Sequence, residues 1–283
     1  MFLSRTHNHL MSKVNTVVMA LAIVLTAGAA HAAEPKPWQM NLQPASGSIA
    51  EAATDLHNLL LIIITAISVF VLALLVYTCI RFREDRNPNP SKTTHNTVIE
   101  ILWTVIPVII LVVIAVPSFK LLYYMDRTDE TDMVINVTGA QWYWTYEYPK
   151  EEIAFDSYMI ADEDIQEGQK RLLDVDNPLI VPEGTRIKLL VNANDVMHSF
   201  FVPSLAVQIY TVAGRTNEAW IDVPMGEKTY YGQCNQICGI NHAYMPIVIK
   251  AVSAEDYDEW LAMAREEFAM NDGPKTITMA QAQ

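Results

Sequence analysis

Apolar residues crowd into three blocks within the first 125 positions, and beyond them the pattern breaks into short alternating segments. The second block, residues 59–80, contains no charged side chain. At about 1.5 Å of rise per residue it is long enough to cross a hydrocarbon core about 30 Å thick, which predicts a transmembrane helix. The third block, 98–122, predicts a second span; it carries Glu100 near its start and prolines at 107 and 117, which membrane helices tolerate as kinks. The first block is shorter. Residues 17–29 follow Arg5 and Lys13 and lead into Ala30-His31-Ala32, the pattern of a secretory signal peptide over 1–32 that is cut after Ala32. Residues 33–56, with Pro35, Pro37 and Pro44, are expected to form a segment on the outer side with no fold imposed by pattern.

The loop between the two spans, 81–97, holds Arg81, Arg83, Arg86 and Lys92. Clustered Lys and Arg in a short loop place it on the cytoplasmic side. Residues 57–125 then form a membrane hairpin with both ends facing outward, in agreement with an exported N-terminus. In a bacterium with two membranes this is a multi-pass inner (plasma) membrane protein whose C-terminal domain lies in the periplasm.

From 126 to 252 the segments 133–138, 142–148, 179–181, 187–191, 218–223, 228–232 and 247–252 are short, rich in β-branched and aromatic residues, and separated by Pro, Gly and Asn. They predict an all-β sandwich or barrel. Ser253, with Asp256 three residues on, caps a predicted helix running to about 270, and 253–283 is read as that helix and a tail. Charge sharpens the picture. Residues 126–283 hold 11 Lys and Arg against 26 Asp and Glu, a net of −15 in a chain whose total is −13. Such a domain repels nucleic acid and draws basic partners by raising their encounter rate.

The densest chemistry lies in 233–245. Cys234, Cys238, His242 and Met245 follow one another at Cys-x3-Cys-x3-His-x2-Met spacing. Met is a weak, soft ligand that structural zinc sites do not use, so the set points to copper. Cys79 sits in an apolar run, which leaves Cys234 and Cys238 as the thiols of the outer compartment. A disulfide between them and simple packing in a loop stand beside the metal reading. His198, in Asn194-Asp195-Val196-Met197-His198 after a strand, is the candidate for a further ligand. Two thiolates, two imidazoles, a thioether and a carbonyl suit two copper ions that share an electron; one thiolate with two His and Met suits a mononuclear blue-copper site. Glu100 is either the start of a proton route or an interfacial acid beside a positive helix N-terminus.

Several longer motifs carry a resemblance: 95–107 (HNTVIEILWTVIP), 139–148 (GAQWYWTYEY), 155–160 (FDSYMI), 195–200 (DVMHSF), 202–205 (VPSL) and 230–249 (YYGQCNQICGINHAYMPIVI). With them the sequence resembles subunit II of the haem-copper cytochrome c oxidases over residues 50–252. The resemblance implies a two-helix transmembrane hairpin followed by a cupredoxin-like domain holding the binuclear copper centre CuA. Its ligands would be His198, Cys234, the backbone carbonyl of Gln236, Cys238, His242 and Met245. Trp142 would be the aromatic through which an electron arrives from cytochrome c, and Glu100 the acid at the mouth of a proton path shared with subunit I. The implied activity is that of an aa3-type oxidase, with electrons passed to haem in subunit I, O2 reduced to water and protons pumped; subunits I and III, cytochrome c and membrane lipid are the implied partners. Gln236 stands where the family usually has Glu, so the side chain that helps to bind Mg2+ at the subunit I interface is missing. Ala206, Gln208, Tyr210 and Ala213 replace the family's Gly, Lys, Asp and Pro, and Ala140 replaces a usual His. A membrane-anchored copper-delivery protein is the competing class, but copper delivery has no need of the 95–107 and 139–148 motifs. The quinol-oxidase relative lacks the copper ligands retained here.

Overall fold

The computed structural model describes residues 33–269 apart from 129 and 227. The predicted signal peptide over 1–32 and the tail from 270 onward lie outside the described residues. Two helices come first, α1 (Ser48–Arg81) and α2 (Thr97–Met125). Both are long and apolar enough to cross a membrane, and most of their large apolar side chains are exposed. A helix of this kind in water would be unstable, so this surface is one that lipid or another apolar helix covers.

α1 begins eleven positions before the predicted span, at Ser48 rather than residue 59. Hydrophobicity alone marks only the part that needs lipid. The preceding turns, Ser-Ile-Ala-Glu-Ala-Ala-Thr-Asp-Leu, are good helix formers and bury Ile49 and Ala50 against the outer domain. The Ser48 backbone N–H donates to Asp222 Oδ2 (3.1 Å). From the end of α2, Tyr124 donates its hydroxyl to Ser48 Oγ (2.7 Å) and sets its ring edge-on to Trp220. The hairpin is thus joined to the domain through its outermost turns. Upstream, the segment expected to lack a fold also has an anchor: Ala33 pairs with Tyr230, its N–H donating to Thr229 O (2.8 Å).

The domain is a sandwich of ten strands: β1 (Met133–Ala140), β2 (Tyr143–Tyr148), β3 (Ile153–Ser157), β4 (Leu179–Pro182), β5 (Arg186–Ala193), β6 (His198–Val202), β7 (Val207–Thr211), β8 (Asn217–Asp222), β9 (Lys228–Cys234) and β10 (Pro246–Val252). One sheet has the order β3-β2-β1-β5-β8 and the other β4-β10-β9-β6-β7. In β1, β2 and β5 every second side chain is buried, the period-two pattern of a strand with one face on a core. Trp144, Tyr146 and Tyr148 contribute the large inward rings of β2. Tyr148 spans the layers, donating its hydroxyl to Ile180 O (2.7 Å) in the opposite sheet. Three strands were absent from the sequence expectation: β3, β6 and β7. Each is five residues long; β6 is buried on nearly every residue and so shows no alternation. Helix α3 (Ala254–Glu267), capped by Ser253 Oγ accepting from Asp256 N–H (3.1 Å), stops three residues before the expected end. Its Trp260 packs on Tyr148 and Phe155.

The two sheets leave β9 and β10 joined as an antiparallel hairpin with Gln233 opposite Pro246. The connection between them, 235–245, leaves the end of the sandwich away from the joint with α1 and is closed at its base by Cys234 N–H donating to Met245 O (3.3 Å). β6 runs beside β9 with Phe200 opposite Cys234, which brings His198 to the same end.

Candidate metal centre

Strand register explains why residues 36 positions apart meet. Pairing of β6 with β9 puts His198 beside the base of the 235–245 loop, and Asn235 N–H donating to Ser199 O (3.1 Å) pins the loop there. His198 is fully buried and begins β6 rather than sitting on a loop after a strand. The ligand atoms of His198, Cys234 and Cys238 all lie within 4.8 Å of one another.

The two sulfurs are 3.8 Å apart, nearly twice the roughly 2.05 Å of a disulfide, and both cysteines are free and buried. The disulfide alternative therefore does not describe this structure. Around the pair, His198 Nδ1 is 4.0 Å and Gln236 O 3.3 Å from Cys234 Sγ, while His242 Nδ1 is 3.6 Å and Met245 Sδ 3.5 Å from Cys238 Sγ. All six expected donors thus meet in one cluster. The donor set is soft, and these six residues would suit a soft metal such as copper.

Electrostatics at the pair are those of one shared negative charge. Burial pushes the Cys234 thiol up, but hydrogen bonds with the His198 ring and with the backbone at Ser199 and Gln236 outweigh it and bring the group down to about 6. Burial and the neighbouring Cys234 thiolate push Cys238 up to about 12. For His198, burial lowers its affinity for a proton, yet hydrogen bonds to Cys234 and Asp195 more than compensate and raise it. A thiolate beside a second, protonated thiol is ready for a cation that replaces the remaining proton.

Trp142 is half-buried on the rim of the cluster and donates its indole N–H to Cys238 O (3.1 Å). The approach depends on Gly239, whose φ is +121° and where an added Cβ would stand 2.9 Å from the Trp142 ring. Gly139 plays a similar part under His198, where a Cβ would come within 2.9 Å of the imidazole. Beneath the cluster lies Trp144, edge-on to His198 and donating its Nε1–H to Met245 O (3.3 Å). Sequence reasoning assigned no role to two residues that touch the site, Gln141 and Asp195. The Asp-x-x-His spacing of Asp195 and His198 was the available signal.

Glu100 is far from this cluster. It lies in the first turn of α2 at the end remote from the domain, and its Oε1 accepts the Asn96 N–H (3.3 Å) while Asn96 Oδ1 accepts from Val98 N–H and Ile99 N–H (3.1 and 3.2 Å). This reciprocal arrangement caps a helix.

The family model described as the periplasmic domain of cytochrome c oxidase subunit II matches residues 133–252, and that of its transmembrane domain matches 35–121. A probable cytochrome c oxidase subunit 2 of Rickettsia bellii is 49% identical over 260 residues, covering 92% of this chain and 96% of that protein. Cytochrome c oxidase subunit 2 of Oenothera berteroana is 47% identical over 234 residues, covering 80% and 90%. Among solved structures, the periplasmic domain of cytochrome oxidase subunit II of Bradyrhizobium japonicum is 40% identical with a TM-score of 0.46, covering 50% of this chain and 98% of that one. Two apolar helices, a β-sandwich, and the family-model and relative matches along most of its length show that the chain belongs to the cytochrome c oxidase subunit II family.

Proposed function

We propose that this chain is the subunit of an aa3-type oxidase that accepts electrons from cytochrome c at a binuclear CuA centre and passes them to haem in subunit I, where O2 is reduced to water with proton pumping. The observation that carries the proposal is the closure of four further donors, from His198, Gln236, His242 and Met245, on the Cys234–Cys238 thiol pair. Those six residues would hold the copper. Bound there, two copper ions supply a one-electron couple delocalised across a thiolate pair.

The chain's own residues supply the rest. Two sheets and the bonded base of the 235–245 loop hold the donors in place, so little moves when charge changes. Trp142, on the rim and bonded to the Cys238 carbonyl, receives the incoming electron, and the acidic outer domain steers a basic cytochrome c toward it. Glu100 stands at the mouth of a proton path shared with subunit I, and its capping bond to Asn96 orients the carboxylate. Gln236 keeps its carbonyl but lacks the carboxylate that a Mg2+ ion at the subunit I interface would use. In this reading residues 1–32 are cleaved, 81–97 face the cytoplasm of a bacterium, 57–125 span its inner membrane beside subunits I and III, and 126–252 form the periplasmic copper domain.

Rapid mixing of reduced cytochrome c with an oxidase complex containing this chain tests the proposal. The expected result is fast electron uptake that slows steeply as ionic strength rises, because exposed charges are screened over about 10 Å at 0.1 M salt. Uptake that is absent, or indifferent to salt, contradicts it.

A further inference from the structure

Asp195 sits three residues before His198 and uses both oxygens internally. Oδ1 lies 2.9 Å from His198 Nε2, and Oδ2 accepts the Gln141 backbone N–H at 2.7 Å. A carboxylate only accepts, so Nε2 carries a proton, and Nδ1 is the ring nitrogen that faces Cys234 Sγ. Gln141 continues the connection, donating its side-chain Nε2–H to Cys238 O (2.8 Å), the carbonyl that Trp142 also holds. A closed ring results: His198 to Asp195, Asp195 to Gln141, Gln141 and Trp142 to Cys238, and Cys238 back through the sulfur pair to His198. Three separate stretches of chain, 141–142, 195–198 and the 235–245 loop, are tied by these side-chain bonds, beside the backbone bonds of Asn194 N–H to Gly139 O (3.0 Å) and Asn235 N–H to Ser199 O (3.1 Å). The Asp195 side chain is 31% exposed while His198 is wholly buried, so the carboxylate is also the lid over the imidazole.

We propose that Asp195 is a positioning residue for the metal centre: it holds the His198 ring by Nε2 so that Nδ1 is the nitrogen presented to a metal, and with the same carboxylate it fixes the Gln141-Trp142 segment against the Cys238 carbonyl. A carboxylate on the remote nitrogen makes the imidazole a better donor and holds its ring in plane with the site. The inference rests on the reading of His198 as a copper ligand, and it adds that this ligand and the Trp142 segment share one anchor. Asp195 then belongs to the site rather than to the general acidic surface.

The test uses the full chain in detergent, wild type and two variants, with two measurements. In copper-free protein with isotope-labelled histidine, nitrogen NMR reads His198 Nε2 directly: it is expected protonated and hydrogen-bonded in the wild type, and in Asp195→Ala that hydrogen bond is expected to be lost. In copper-loaded protein, Asp195→Ala is expected to lose about 10- to 100-fold in copper affinity, the usual cost of removing a partner behind a ligand. Asp195→Asn keeps an oxygen acceptor for the ring but loses the charge; it is expected to keep its copper and to raise the midpoint potential. Should Asp195→Ala fail to fold, the Asp195→Asn potential decides, and a potential equal to that of the wild type overturns the proposal. So does an Asp195→Ala protein with the wild-type Nε2 signal and affinity. If the wild type itself takes up no copper pair, the functional reading fails, whereas the Nε2 measurement on copper-free protein still judges the role of Asp195.

Discussion

At the outer end of the molecule, four donor atoms from two distant stretches of chain close on a pair of buried thiols. At the inner end of α2, a single carboxylate, Glu100, is partnered by the backbone of its own helix cap. Both are polar groups placed by the same hairpin-and-sandwich chain, yet they differ in what their surroundings require. The thiols are shut off from water and sit beside two imidazole nitrogens and a thioether, donor types that suit a soft cation. Glu100 has a sufficient structural reason for being where it is. A cluster of soft donors drawn from two stretches of chain points to a metal; a lone acid with a satisfied hydrogen bond points to nothing beyond the cap, and any role in proton uptake has to be separated from it.

Breaking the outer cluster has the largest expected effect. Cys234→Ser replaces a soft bridging donor with a hard hydroxyl, and the full chain is expected to lose the copper pair altogether, read by metal content and by loss of the mixed-valence EPR signal. Next is Trp142→Phe, which keeps the ring but removes the N–H bond to the Cys238 carbonyl. It is expected to leave copper content unchanged and to slow electron uptake from cytochrome c by about tenfold or more, about 1.4 kcal/mol of barrier. Stopped-flow mixing with the assembled complex reads that rate.

The shared charge of the thiol pair gives a pH test on copper-free protein. Cys234 is lowered to about 6 and Cys238 raised to about 12, so one thiolate is expected to appear as pH rises through about 6 while the second stays protonated to high pH. Ultraviolet thiolate absorbance follows it. Two thiols ionising together near the ordinary value of about 8.5 would show that the His198 and backbone contacts do not bias the pair.

The smallest effect sharpens the inner end. Glu100→Gln keeps an oxygen that accepts the Asn96 N–H and is expected to leave thermal stability nearly unchanged, whereas Glu100→Ala removes half of the reciprocal cap and is expected to cost about 0.5–1 kcal/mol. If Glu100 serves only as a cap, Glu100→Gln turns over like the wild type. If it also passes protons, Glu100→Gln slows turnover of the complex while the copper signal is untouched.

Much of this contrast is legible in the chain itself. The apolar runs at 59–80 and 98–122 mark the membrane helices because lipid demands unbroken hydrophobicity, but the first turns of α1 do not show in such a pattern, since Ile49 and Ala50 are buried by the domain and not by lipid. The strands β1, β2, β5 and β10 are long enough to display their character. β6 is not: five residues, nearly all buried, hold the His198 that the site needs. Cys234, Cys238, His242 and Met245 fall within one loop and are seen together; joining them to His198 takes the β6–β9 register, which no local pattern encodes. Asp195 and Gln141 stayed hidden because their partners are a buried ring nitrogen and a carbonyl 97 positions away.

The central claim is that two copper ions share the Cys234–Cys238 pair. The direct measurement is copper quantitation with EPR on the full chain purified in detergent. Two coppers per chain with a seven-line spectrum, the splitting of one electron spread equally over two copper nuclei, is the predicted result. One copper with a four-line spectrum, or zinc in its place, would contradict it.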